Sequence, residues 1–255
     1  MVLIFINSNF VMRISLLGTG KTGRIFQNLA VQAGHVVDSF NTSYRPDVDS
    51  LGESDLIVCF VPGHAMPDII PLLVTSGQPV LNGATGFDWP GSRDEFSNEL
   101  IIRGLKWLST GNFSPGCNLA MQLIRSIQYL PVSDGFDFTL TETHHVHKKD
   151  APSGTALMWR DALGINVEIR SVRESDVAGI HEIRIGNKLE SVTIRHEVLD
   201  RSVFANGTLR VAEWIHRNLT ALPAGLHDVC TGYDRTAIRL GHDLPVPAGT
   251  LDGDV

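Results

Sequence analysis

Residues 13–34 read RISLLGTGKTGRIFQNLAVQAG, and this stretch decides the fold. An apolar segment predicts a strand, Gly18, Gly20 and Gly23 satisfy the GxGxxG spacing, and an amphipathic segment predicts a helix ending at Gly34. In such a unit the first glycine makes a tight turn, the second lets backbone approach a pyrophosphate, and the third allows close strand-to-helix packing. The pattern predicts a dinucleotide loop; a purely structural glycine turn is the alternative.

The next segments alternate between strands and helices. Strands are predicted at 35–40, 55–61, 79–84 and 105–110, and helices near 64–75 and 93–103. Near-continuous apolar strands separated by helices are typical of a parallel sheet covered on both faces. The sequence therefore predicts an α/β protein that begins with a Rossmann-type, doubly wound parallel sheet.

After Asn112 the pattern changes. The predicted elements are helices at 115–130, 155–163 and 204–219 and strands at 136–145, 168–174, 178–186 and 190–199. Successive strands with short polar turns indicate an α+β domain with an open, mostly antiparallel sheet. The expected division is a dinucleotide-binding domain of residues 12–111 and 202–230, a second domain of residues 112–201, and terminal extensions at 1–11 and 231–255, the second of them loosely ordered.

The composition excludes several classes of protein. The 255 residues carry 28 acidic and 21 basic side chains, a net charge of −7, which argues against nucleic-acid and membrane partners. Three cysteines without a CxxC pair exclude a disulfide framework and a zinc knuckle, and they favour a reducing, cytoplasmic location. The first residues lack a basic leader and a cleavage site, so we expect no export signal.

The choice between NADH and NADPH depends on residues near the end of the second strand. An acidic side chain there, about 20 positions after the glycine loop, accepts a hydrogen bond from the ribose of NAD. Asp38 has nearly the right spacing, whereas Asn41 lies closer to the expected strand end, and Arg45 could reach a 2′-phosphate. Asn41 is the candidate cofactor contact, and the sequence leaves NADH or NADPH open.

Polar chemistry is concentrated in ETHHVHKKDAPSGTA, residues 142–156. Ser153 is a predicted N-cap, so the free amides of Gly154 and Thr155, together with Lys148, suit a carboxylate. His144 and the residue after it point to opposite faces of a strand, so at most one shares a face with Lys148 unless the strand ends there. No metal is expected, because adjacent histidines diverge and no cysteine or carboxylate cluster completes a site.

This segment resembles the signature of the dihydrodipicolinate reductases, E-x-H-H-x-x-K-x-D-A-P-S-G-T-A, at every fixed position. Further similarity covers residues 12–228, including GTGKTG, GATGF at 83–87 and TGNFS at 110–114. The resemblance implies reduction of 4-hydroxy-tetrahydrodipicolinate to tetrahydrodipicolinate in lysine and diaminopimelate biosynthesis, with NADH or NADPH. It also implies a homotetramer assembled through the second domain, which binds the substrate.

The resemblance also implies roles for individual residues. His144 is the implied proton donor, although Lys148 could donate instead, and the implied substrate contacts are His145, Lys148, Gly154 and Thr155. The implied cofactor contacts are Gly18, Gly20, Lys21, Thr22, Gly23, Gly83, Ala84, Thr85, Thr110, Gly111, Asn112, Phe113 and Ser114. Two alternatives stay open: another NAD(P)-dependent amino-acid or semialdehyde dehydrogenase, and a protein that binds dinucleotide without turnover.

Overall fold

The computed structural model describes residues 10–127 and 135–229. Ten strands and seven α-helices alternate along these residues. In chain order they are β1 Arg13–Leu17, α1 Lys21–Gln32, β2 Val36–Phe40, α2 Val48–Gly52, β3 Leu56–Cys59, α3 Met66–Ser76, β4 Val80–Asn82, α4 Arg93–Arg103, β5 Lys106–Ser109, α5 Pro115–Ile127, β6 Asp137–His144, α6 Gly154–Leu163, β7 Ile169–Arg173, β8 Ile180–Gly186, β9 Ser191–Glu197, α7 Ser202–Asn218 and β10 Gly225–Asp228.

Six strands form a parallel sheet in the order β10-β5-β4-β3-β1-β2. The chain leaves β1 for β2 on one side and then crosses to β3 on the other side of β1. This reversal creates a crevice at the carboxyl ends of β1 and β3, where open α/β sheets bind ligands. The doubly wound parallel sheet predicted from the sequence is confirmed.

Helices cover both faces of this sheet. On one face α1 and α7 pack against the apolar side chains of β1 and β3, and Ala205, Leu209, Ala212 and Ile215 of α7 are buried there. On the other face Met66, Ile70 and Leu73 of α3 pack with Phe96 and Leu100 of α4. Helix α7 therefore returns the chain to the first sheet, as its pattern predicted. The sequence analysis did not predict the short elements α2 and β10.

The second sheet has the order β7-β6-β8-β9. The β6–β8 and β8–β9 pairs are antiparallel, whereas β6 and β7 are parallel because α6 connects them as a crossover. Helices α5 and α6 cover one face of this sheet, around the fully buried Trp159. The open, mostly antiparallel sheet expected from the sequence is confirmed.

Three sequence expectations fall outside the described residues: the last turn of the helix predicted to reach residue 130, the conformation of most of the first eleven residues and that of the tail from residue 231. Among the helices of residues 10–127 and 135–229, none is long and apolar enough to cross a membrane.

Candidate active site

The glycine loop lies at the carboxyl end of β1, beside the end of β3. Gly18 has φ +99° and sits against the Phe60 carbonyl, where a Cβ would approach its oxygen to 2.6 Å. A Cβ on Gly23 would lie 2.0 Å from the Gly18 carbonyl oxygen, so this position requires glycine for close packing. Gly20 differs: it begins α1 at φ −68°, and nothing lies within 4 Å of its absent Cβ. Gly20, whose backbone is expected to approach a pyrophosphate, is therefore the loop glycine that lies beside open space.

The segments after β4 and β5 lie side by side at the same edge of the sheet. The Asn82 side chain bonds Ser109 at 3.0 Å and accepts from the amide of Ala84 at 3.1 Å, which joins the two strand ends. Within 110–114, Thr110 Oγ1 accepts from the amide of Asn112 at 3.1 Å. Gly83 lies against the Phe113 ring, and Ser114 is buried. These segments flank the crevice that begins at Gly18.

The three residues that could set the preference for NADH or NADPH lie in different positions around the end of β2. Asp38 lies inside the strand and pairs with the guanidinium of Arg13 at 2.9 Å. Asn41 directly follows the strand, where its side-chain oxygen accepts from the amides of Ser43 at 2.8 Å and Tyr44 at 3.0 Å. Arg45 is exposed in the next loop. Position 41, at the carboxyl end of β2, therefore carries no acidic side chain.

The histidine–lysine segment, residues 144–156, begins where β6 ends, at His144. Ser153 caps α6 by accepting from the amide of Ala156 at 3.2 Å, as predicted from the sequence. Within the described chain, the amides of Gly154 and Thr155 donate no hydrogen bond. Nearby in sequence, the Lys148 ammonium contacts both carboxylate oxygens of Asp150 at 2.8 Å. The free amides and the ammonium are the groups that bind carboxylates.

Several basic side chains lie within electrostatic range of His145. The pKa of His145 is lowered by desolvation and by the charges of Arg201, His147, Lys21 and Lys148, in decreasing order of effect. Lys21 begins α1 directly after the glycine turn, Arg201 precedes α7, and Lys148 belongs to the histidine–lysine segment. This positive region therefore joins the dinucleotide loop to the histidine–lysine segment.

A direct hydrogen bond also joins the two domains. Asn112, in the segment after β5, donates through Nδ2 to Oγ1 of Thr155 in the first turn of α6, at 3.1 Å. The candidate cofactor segment and the candidate carboxylate site are thus neighbours, which is the arrangement that a reaction between two bound ligands requires.

His144 is buried in front of a charged pair. Its Nδ1 bonds the carboxylate of Glu142, whose other oxygen accepts from Nη1 of Arg173 at 2.9 Å. Burial lowers the pKa of His144, the Glu142 charge opposes this shift, and Lys148 and Arg173 add to it. Because the strand ends at His144, Lys148 turns back and lies close enough to influence the pKa of both His144 and His145.

His181 on β8 lies against His144, with ring centroids 5.1 Å apart, and its Nε2 bonds the Ser153 hydroxyl at 3.0 Å. Burial lowers the pKa of His181 to about 3, and the neighbouring His144 adds to this shift, so the ring is neutral at physiological pH. Glu142, His144 and His181 present side-chain atoms within 4.8 Å of one another. The carboxylate of this cluster is already bound to Arg173 and to His144, which leaves it poorly suited to a cation.

Sequence reasoning missed Arg173, His181 and Arg201. Glu142 and His144 share a strand face by their spacing of two, a signal that was present in the sequence. Strand register places Arg173 opposite His144 and His181 opposite Glu142. The sequence alone does not show this register.

A glycine loop at the switch point of a parallel sheet, next to a second, mixed sheet that carries a buried histidine, is typical of a dinucleotide-dependent oxidoreductase. The family model for the C-terminus of dihydrodipicolinate reductase matches residues 116–242. The chain is 27% identical over 230 residues to the 4-hydroxy-tetrahydrodipicolinate reductase of Acidiphilium cryptum, covering 80% of this chain and 92% of the relative.

A second relative is closer in identity over a shorter stretch. The 4-hydroxy-tetrahydrodipicolinate reductase of Xanthomonas axonopodis pv. citri is 33% identical over 179 residues, which is 69% of this chain and 71% of the relative. This chain therefore belongs to the 4-hydroxy-tetrahydrodipicolinate reductase family, as the resemblance predicted.

Solved structures share the fold. The dipicolinate-bound dihydrodipicolinate reductase of Paenisporosarcina sp. TG-14 superposes with a TM-score of 0.68 at 17% identity, over 86% of this chain and 98% of that one. An aspartate dehydrogenase from Thermotoga maritima superposes with a TM-score of 0.52 at 13% identity, over 82% of this chain and 96% of that one. The two-domain plan is thus shared with reductases and dehydrogenases of different names.

Proposed function

We propose that this protein reduces 4-hydroxy-tetrahydrodipicolinate to tetrahydrodipicolinate with NADH or NADPH, in lysine and diaminopimelate biosynthesis. The observation that carries the proposal is the Asn112–Thr155 hydrogen bond of 3.1 Å, which brings the segment after β5 next to the first turn of α6. Lys21, Arg201 and Lys148 add positive charge within electrostatic range of His145. A dicarboxylate bound there lies beside a dinucleotide bound on the glycine loop. Membership of the reductase family supports the same substrate.

The loop residues fit a dinucleotide. Gly20 leaves open space at the beginning of α1, and Lys21 and Thr22 form the first turn, where helix amides favour a pyrophosphate. We assign Asn41 to the ribose side, and the segments 83–85 and 110–114 to the nicotinamide side. When bound, the nicotinamide supplies the hydride.

The histidine–lysine segment provides for two negative charges. We assign one carboxylate to the amides of Gly154 and Thr155 and to the Thr155 side chain, and the other to Lys148 and His145. The Lys148 ammonium is held by Asp150, so a substrate carboxylate would compete with Asp150 for it. A charge-assisted hydrogen bond of this kind contributes roughly 1.5–3 kcal/mol.

The substrate loses its 4-hydroxyl group as water, and reduction of the resulting unsaturated ring takes up one hydride and one proton. We assign delivery of this proton to His144. Its Nδ1 is occupied by Glu142, so Nε2 is the nitrogen that can face a ligand. Lys148 is the alternative donor, because it lies near the same histidine.

We also propose a homotetramer in a reducing cytoplasm. Cys59 and Cys117 are buried free thiols, and burial raises the pKa of both to about 11, so neither is a reactive thiolate. The proposed assembly surface is the sheet of the second domain, in which Val192 of β9 is exposed. Sedimentation of the purified protein tests this: a monomer at micromolar concentration would contradict it.

The function is tested by supplying enzymatically generated 4-hydroxy-tetrahydrodipicolinate and following NADH and NADPH absorbance in separate assays. Substrate-dependent consumption of either cofactor supports the proposal. Parallel assays with aspartate and with aspartate semialdehyde test the dehydrogenase alternative. Binding of NADH without consumption under all conditions would indicate a dinucleotide-binding protein without turnover.

A further inference from the structure

The carboxylate of Glu142 is fully buried beneath the implied proton donor. We propose that Glu142, anchored by Arg173, is a positioning residue that fixes the His144 imidazole with its proton on Nδ1, so that Nε2 is the nitrogen that exchanges the proton with substrate. This inference rests on the proposed function, because it assigns a task to residues around the same site.

The strand register builds this arrangement. Glu142 and His144 are two residues apart on β6 and therefore share a face. Arg173 ends β7 directly opposite His144, and its Nη1 reaches Oε1 of Glu142 at 2.9 Å while Oε2 bonds His144 Nδ1. The carboxylate is thus held at both oxygens, and the imidazole cannot turn without breaking a bond to it.

Arg173 also holds the loop that carries the candidate substrate lysine. Its Nη2 donates to the carbonyl of Asp150 at 2.6 Å and its Nε to the carbonyl of Lys148 at 3.4 Å. One guanidinium therefore fixes the position of the carboxylate behind His144 and of the backbone around Lys148. The proton donor and the carboxylate-binding ammonium are set relative to each other by the same side chain.

The charge of Glu142 determines the tautomer. Burial alone would raise the pKa of Glu142, but hydrogen bonds from Ser171 and Arg173 and the charges of His144 and Arg173 hold it below its ordinary value. An ionised carboxylate only accepts hydrogen bonds, so Nδ1 of His144 must carry a hydrogen. Proton exchange is left to Nε2, which has no hydrogen-bond partner in residues 10–127 and 135–229.

The space beside Nε2 is kept clear by a glycine. A Cβ on Gly179 would lie 3.1 Å from Nε2 of His144, and Gly179 has no positive φ, so an alanine there would crowd the imidazole without backbone strain. The charged and titratable groups that face this ring are Glu142 on its own strand, Arg173 on β7, His181 on β8 and Lys148 in the following loop. Glu142 is the only anion among these four, so it alone stabilises the imidazolium.

The test compares Glu142→Gln with the wild type. The glutamine has the same shape but presents His144 with either an uncharged oxygen or an amide donor, so the imidazolium loses its counter-charge in both orientations. We expect kcat to fall about 10²–10³-fold, in the range of a mispositioned general acid, with KM within about threefold. The decline of kcat/KM with rising pH should move to lower pH by about one unit or more.

Controls separate this role from a structural one. Glu182→Gln, on β8 in a surface ion pair with Arg195, should leave kcat and the pH profile unchanged. Glu142→Asp, which keeps the charge, should recover at least tenfold of the lost kcat. A Glu142→Gln protein with the wild-type pH profile, or one in which only KM changes, would overturn the proposal and favour Lys148 as the proton donor.

A second measurement does not depend on the folding of Glu142→Gln or on turnover. Nitrogen-15 chemical shifts of the imidazoles in the wild-type protein report which nitrogen is protonated, and a His144→Gln spectrum assigns the signal. We expect neutral His144 to carry its hydrogen on Nδ1; a hydrogen on Nε2 would overturn the proposal even in an active enzyme. If the wild type shows the expected tautomer but consumes no cofactor with the proposed substrate, the proposed function fails instead.

Discussion

Replacing single glycines of the dinucleotide loop by alanine should separate cofactor binding from stability. At Gly20 the new methyl group meets nothing within 4 Å, and φ is −68°, so the free energy of unfolding should change by less than about 1 kcal/mol. The methyl group would occupy the space assigned to the pyrophosphate. Loss of one charge-assisted hydrogen bond, about 1.5–3 kcal/mol, corresponds to NADH affinity roughly 10–100-fold weaker.

Gly23→Ala should behave differently. Its Cβ would lie 2.0 Å from the Gly18 carbonyl oxygen, so α1 must move away from the loop, at a cost of roughly 3 kcal/mol or more. Gly52→Ala is the matched control, because Gly52 also has open space and no positive φ but ends α2, away from the loop. The assays are urea unfolding and titration of NADH and NADPH fluorescence. Affinity within twofold of wild type for Gly20→Ala, or an equal loss for Gly52→Ala, would refute the reasoning.

Three further predictions concern the histidine–lysine segment and the core. Lys148→Ala should chiefly raise KM, by about tenfold or more, while His144→Ala should chiefly lower kcat. Reversed effects in steady-state kinetics would contradict the assignment of Lys148 to binding and His144 to proton donation. The pKa of His181 is lowered to about 3, so its contribution to stability is present above about pH 6.5 and is lost as pH falls. His181→Gln should therefore reduce the loss of unfolding free energy between about pH 7 and pH 5 by about 2 kcal/mol. An unchanged loss in urea titrations would show that the ring is not held neutral. Glu213→Ala should lower the free energy of unfolding by about 2 kcal/mol, measured in urea, because it leaves Nε2 of the buried His35 unpaired. Glu213→Gln should cost less than half of that. Equal costs would contradict the hydrogen bond.

The elements of the fold follow from local pattern. Near-continuous apolar strands and the GxGxxG turn predicted β1 to β5 and the helices between them, because burial on both faces of a parallel sheet leaves a plain hydrophobic signature. The strand β10 was missed because GLHD carries no such run; its place beside β5 is decided by pairing with residues more than 110 positions away. The parallel β6–β7 pair likewise follows from the α6 crossover rather than from either strand.

The candidate site was predictable where its residues are contiguous. Ser153, the free amides after it and Lys148 belong to one motif, and capping chemistry explains their spacing. Arg173 and His181 reach the site through strand register, and Arg201 through the return of the chain to the first sheet, so no local signal marks them. Asn41, and not Asp38, lies at the carboxyl end of β2 because the strand ends at Phe40, one residue before Asn41.

We propose that the glycine loop and the histidine–lysine segment form one active site for hydride transfer to a cyclic dicarboxylate. The most direct measurement is mass spectrometry of the product formed from 4-hydroxy-tetrahydrodipicolinate with nicotinamide cofactor deuterated at the transferred position. We expect tetrahydrodipicolinate that carries one deuterium, with one cofactor oxidised per product. Unlabelled product, or no product while the cofactor still binds, would contradict it.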